Sequence, residues 1–205
     1  MHYRIATAAL SSLLVLTTLV PVASAQRTAQ VYLERRHDEV NELLRQPAET
    51  DAARRSRSER LTRILEDLLD YQALSENALG DHWGERSETE RTRFVALLQQ
   101  LVERNYENSL ERILDFEVTY DGERRRGEQT IVTTSARSRS QRRQPPVEIE
   151  YTVRRVDGSW RVIDVTTDGV SMVQNYRSQF NRIIGRDGWE ELIARMERRL
   201  ERSEG

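Results

Sequence analysis

Few side chains in this sequence could do chemistry, and their spacing suits it poorly. His82 sits beside Asp81 and three residues before Glu85, a pairing that could move a proton. The neighbouring Trp83 gives the same stretch a simpler reading, a core anchor at a helix end. Ser171 follows Gly169-Val170, but no His is placed to activate it and no G-x-S-x-G elbow surrounds it. Asp164 is the one carboxylate inside the apolar run Trp160–Val165. Facing a pocket, Asp164 or Tyr176 could serve acid–base chemistry. Metal binding has little to build on: there is no Cys, and His37 and His82, the only His beyond the N-terminal segment, fall on different elements.

The apolar residues are better organised. After the run Val162-Ile163-Asp164-Val165 comes a Gly, then a helical pattern that puts Val170, Val173, Tyr176, Phe180 and Ile184 on one face. Such a stripe against a sheet is either core or the wall of a cavity for something as apolar as an acyl chain.

Composition narrows the setting. Residues 1–25 read as a cleaved secretory signal: Arg4, an apolar stretch of about 15 residues over Ala6–Val20, and Ala23-Ser24-Ala25 as the cleavage motif. That stretch is short of the roughly 20 residues a membrane span needs. Residues 26–205 then form a single exported domain, long enough to bury a core without disulfides. The full sequence's 32 Lys and Arg residues, all Arg, nearly balance its 34 acidic ones, and runs such as Arg124-Arg125-Arg126 are broken by nearby Glu or Gln. That charge pattern argues against nucleic acid as a partner.

The patterning predicts α+β architecture. A helix spans about Thr28–Gln46, with Val31, Val40, Leu43 and Leu44 apolar. Glu49–Glu59 reads as a linker or the solvated start of the next helix, whose stripe is Leu61, Ile64, Leu65, Leu68 and Leu69. Asp70-Tyr71 breaks the chain before a short helix to Trp83. Ser87-Glu88-Thr89-Glu90 is a capping box that opens a long helix to about Leu114, with an apolar stripe that drifts around it. Four consecutive antiparallel strands follow, the last two joined at Asp157-Gly158. Two helices close the chain, Val170–Ile184 and Trp189–Leu200. Helices segregated from an antiparallel meander give the α+β class.

Two blocks in this order resemble the MlaC family. One is Ala78-Leu79-Gly80-Asp81-His82-Trp83 with the later Arg93-Phe94. The other is Asp157-Gly158-Ser159-Trp160-Arg161-Val162-Ile163-Asp164-Val165, continuing through Asp168-Gly169-Val170-Ser171-Met172-Val173 to Asn175-Tyr176-Arg177-Ser178-Gln179-Phe180. Leu74-Ser75 stands where the family usually has Met-Ser, and Gln46–Ser58 has no family character. The resemblance implies a four-stranded sheet backed by helices, nuclear-transport-factor-like, around a cavity for phospholipid acyl chains. It implies a periplasmic, non-catalytic monomer without metal or cofactor, whose cargo is phospholipid. The implied partners are an outer-membrane lipoprotein–porin complex and an inner-membrane ABC transporter with an MCE-domain ring.

The expected lining is Phe94, Leu98 and Leu101 from the long helix, Ile149, Tyr151 and Val153 from the third strand, Ile163 and Val165 from the fourth, and Val170, Val173, Tyr176 and Phe180 from the helix after it. Alternation leaves open which face of the fourth strand points inward, because Val162 and Ile163 are both apolar. Arg177, whose planar fork suits phosphate oxygens, is the head-group candidate, against an ion pair with Asp168 or Asp187. Two rival readings remain: a small isomerase or hydrolase on a related cone-shaped fold using Asp164 or Tyr176, and an interaction module with a filled core.

Overall fold

The structure, a computed structural model, describes residues 28–202. The signal peptide expected over residues 1–25 lies outside them. The order is α1 (Ala29–Arg45), α2 (Asp51–Leu68), α3 (Tyr71–Leu79), α4 (Asp81–Gly84), α5 (Glu88–Glu107) and α6 (Leu110–Leu114). Then come β1 (Phe116–Arg126), β2 (Gln129–Ser138), β3 (Val147–Val156), β4 (Ser159–Thr167) and β5 (Val170–Ser171), followed by α7 (Met172–Asp187) and α8 (Trp189–Arg202). The strands form one antiparallel sheet in chain order.

Local chemistry sets the helix boundaries. Thr28 and Thr50 cap α1 and α2, so the charged segment after Pro47 becomes the exposed start of α2. Asp70 caps α3 through Ala73 N–H, while its other oxygen takes Arg154 Nη2 at 2.6 Å. Its own N–H donates to the Val162 carbonyl at 3.0 Å, which fastens the α2–α3 junction to β4. The capping box forms in full: Ser87 Oγ accepts Glu90 N–H, and Glu90 Oε2 accepts Ser87 N–H. In α1 the buried face includes Tyr32 and Leu33, whereas Val31 is 44% exposed.

Three expectations are corrected. The sheet has five strands, not four: Asp168 and Gly169 take positive φ (46° and 80°) and turn the chain into β5, so Val170 belongs to a strand. This two-residue turn has the left-handed pair that a type I′ hairpin requires. The final helix of that segment starts at Met172, capped by Ser171. The long helix ends at Glu107, and Asn108-Ser109 separates it from α6. The drifting stripe is resolved by this break, at two residues of modest helix propensity.

The buried apolar residues fall into three clusters. The first joins α3, α5, α7 and α8 around Phe94, Phe180 and Trp189. The second packs Tyr32 and Leu33 of α1 on Val132, Val153 and Val162 of the sheet. The third joins Val40, Leu43 and Leu44 of α1 to Leu61, Ile64 and Leu65 of α2.

Candidate functional site

Where the three clusters would meet there is a cavity of about 340 Å³. Its wall takes residues from each: Leu33 and Val162, Val40 and Leu65, Ala78 and Leu98. The volume is within the roughly 300–1,000 Å³ of small-molecule sites. An apolar hollow of about 150 Å³ already stays dry and accepts hydrocarbon.

Of the residues expected to line a cavity, Leu98, Leu101, Tyr151, Val165, Val173 and Tyr176 line this one. Phe94 and Phe180 do not. They fill the first cluster, with Phe94 fully buried, edge-on to Phe180 at 5.6 Å and tilted against Trp189 at 5.9 Å. Val153 is sealed into the second cluster, and Ile149 is half-buried away from the wall. Val170, in β5, is 61% exposed.

Ile163 is displaced by a bulge. On β3 the successive residues Thr152 and Val153 pair with Asp164 and Val162, which leaves Ile163 as the extra residue. A bulge breaks strict alternation and re-aims side chains. Val162, Asp164 and Val165 consequently all reach the cavity, and Ile163 is buried elsewhere.

Asp164 is held by three donors. Its Oδ2 accepts Ser171 Oγ–H at 2.6 Å, and Oδ1 accepts the N–H groups of Val165 at 2.8 Å and Val173 at 3.2 Å. The carboxylate thereby ties the bulge to the first turn of α7, a structural duty that leaves it poorly placed as a free base. Tyr176 stacks on Phe180 at 5.6 Å. Arg36 also reaches the wall, but its guanidinium is paired with Glu39 at 2.9 Å and Asp67 at 3.3 Å. Burial pushes the His37 imidazole below its ordinary value, against the pull of Asp38, and so favours the neutral ring.

Arg177 is not on the wall. Its Nε donates to the Asn77 carbonyl at 2.8 Å, in the last turn of α3, satisfying an orphan acceptor and setting a cation at the helix C-terminus. Gly80 makes this possible. It adopts φ 56°, and a Cβ there would stand 3.1 Å from Arg177 Nε. Asp168 and Asp187 are engaged elsewhere, the first with Glu148 N–H and the second with Arg186 and Arg195. His82 pairs with Glu85 at 3.1 Å, also away from the cavity. Among the described residues no group of three or more His, Cys, Asp or Glu could hold a metal ion, and no helix is long and apolar enough to cross a membrane.

Sequence reasoning missed the contribution of α1. Leu33, His37 and Val40 recur at helical spacing and line the cavity. A His inside an apolar stripe was the available signal. It also missed Tyr106 and Tyr120. A second pocket, of about 310 Å³, opens beside the first and shares His37, Asn41 and Tyr120 with it. Its other walls are polar, with Glu34, Asp38, Glu117, Arg45 and Arg139.

Comparison with known proteins agrees with this architecture. The model of the MlaC protein family matches residues 34–198. The intermembrane phospholipid transport system binding protein MlaC of Haemophilus influenzae is 23% identical over 141 residues, a match spanning 66% of this chain and 66% of that relative. A phospholipid-binding protein from Ralstonia solanacearum, solved in complex with a phospholipid, superposes with a TM-score of 0.69. It is 18% identical, over 86% of this chain and 99% of the other. The family match covers most of the sequence, and the chain belongs to the MlaC family.

Proposed function

We propose that this protein is a periplasmic phospholipid carrier that holds acyl chains in the cavity between its sheet and helices and performs no catalysis. The observation that carries the reading is the apolar hollow where three packed clusters stop short of one another. Support comes from family membership and from the Ralstonia solanacearum relative, whose crystallised complex holds a phospholipid.

The physical requirement for such a carrier is simple. Each methylene is worth about 0.8 kcal/mol when buried, so a sixteen-carbon chain loses on the order of 12 kcal/mol on entering water. Unassisted desorption is correspondingly slow. A carrier needs a site nearly as apolar as the membrane interior, and no reactive group. The Leu, Val and Tyr wall supports this, as does the engagement of Asp164 by three donors. Within the same reading, residues 1–25 direct export. The carrier then exchanges lipid with a lipoprotein–porin complex at the outer membrane and an MCE-ring ABC transporter at the inner membrane.

Native mass spectrometry with lipid extraction, on protein purified from a Gram-negative periplasm, tests the proposal. About one phospholipid per chain is expected. Folded, lipid-free protein that takes up no dansyl-labelled phospholipid would overturn it.

A further inference from the structure

The two sides of the cavity differ in the number of phenols they carry. Toward α3 and α7 the wall is Leu74, Ala78, Met172 and Val173 with Tyr176. The wall also takes three tyrosines from three elements: Tyr106 of α5, Tyr120 of the edge strand β1 and Tyr151 of the central strand β3. They are close enough to influence one another's ionisation, and Tyr120 meets the His37 ring edge-on at 6.4 Å. Among the described residues none of these three hydroxyls makes a hydrogen bond to the protein. The two tyrosines that are buried do: Tyr32 donates to the Asp67 carbonyl at 3.1 Å, and Tyr71 to Glu103 at 3.5 Å. The three tyrosines of the wall are half-buried and line the cavity, where a guest with acceptor oxygens can meet their hydroxyls.

The acceptor is a neutral one. A phosphate drawn to this point would need an unpaired cation, and the wall offers none: Arg36 is held by Glu39 and Asp67, and burial keeps His37 neutral. Cations lie one step further out. Arg45 and Arg139 line the second pocket, but Glu34, Asp38 and Glu117 line it too, so it offers a phosphate no net positive charge.

We propose that Tyr106, Tyr120 and Tyr151 form a donor belt that binds the ester carbonyls of a diacyl phospholipid held in the cavity. This assignment rests on the carrier reading above.

The test compares phosphatidylethanolamine carrying two ester-linked chains with its diether analogue, which has the same chains and head group but no carbonyls. Wild type is expected to retain the diester about tenfold more tightly, the net effect of one to two ordinary hydrogen bonds. The Tyr106→Phe/Tyr120→Phe/Tyr151→Phe variant loses that preference and binds both lipids as wild type binds the diether. Should the triple variant fold poorly, the single variants each lose part of the preference. Tyr71→Phe, outside the cavity, keeps it whole. Equal binding of both lipids by wild type, or equal weakening of both by the Phe variants, would overturn the belt while leaving a lipid carrier standing. Retention of neither lipid by wild type would remove the carrier reading and the belt with it.

Discussion

Two stretches of the same helices behave differently. On α5, Phe94 is sealed in the first cluster, while Leu98 and Leu101, one and two turns on, face the cavity. On α7, Phe180 is packed, while Val173 and Tyr176, toward the N-terminus, line the hollow. The residue types hardly differ. What differs is the opposing surface. The C-terminal half of α7 and the start of α5 meet α8, whose Trp189, Leu192, Ile193 and Met196 fill the space. The other halves face the sheet across a gap that none of the described residues fills. Leaving about 340 Å³ empty forgoes on the order of 8 kcal/mol of packing, comparable with the whole stability of a typical domain. A fold that keeps such a hollow gives an apolar guest something to contribute.

The contrast can be broken most severely at Val173. Val173→Glu sets a carboxylate into the apolar wall, where it must either lose hydration or draw water in. Lipid per chain by native mass spectrometry should fall to near zero while secretion continues, because the capping bonds at this position use backbone N–H. Phe94→Ala attacks the packed side. It should cost about 3–5 kcal/mol in urea unfolding, the usual range for a buried Phe. Leu101→Ala is the matched change on the cavity side. The residue is half-buried against open volume, so about 1 kcal/mol is expected from the same measurement. A loss equal to that at Phe94 would mean that the two regions are packed alike.

The smallest effect is on pH. Burial makes the folded state hold the His37 proton less firmly than the unfolded chain does, so it binds fewer protons once the pH is below the ordinary imidazole value of 6.5. Stability therefore declines as pH falls below 6.5. His37→Asn should flatten that part of the unfolding-midpoint profile, and an unchanged slope would show that the decline comes from other groups.

The legible parts of the fold were those with local causes. The capping box at Ser87 and the hairpin at Asp157-Gly158 each act within a few residues, and both stand as read. The Asp-Gly turn at Asp168-Gly169 carries the same signal, but its returning strand is only two residues long, too short to show alternation. The bulge at Ile163 had no local signature. Val162, Ile163 and Val165 are interchangeable as strand formers, so only pairing with β3 selects which of them turns inward. Arg177 was assigned by chemistry alone, and the neighbour that claims it, the end of α3, lies 100 residues away in the chain.

By itself the sequence determined the α+β class, most of the helix and strand order and the family, because caps, turns and apolar periods act over short range. The tertiary structure decided which apolar residues are core and which are wall. A leucine facing a phenylalanine and a leucine facing a gap have the same local preferences, and only the distance to the opposite layer separates them.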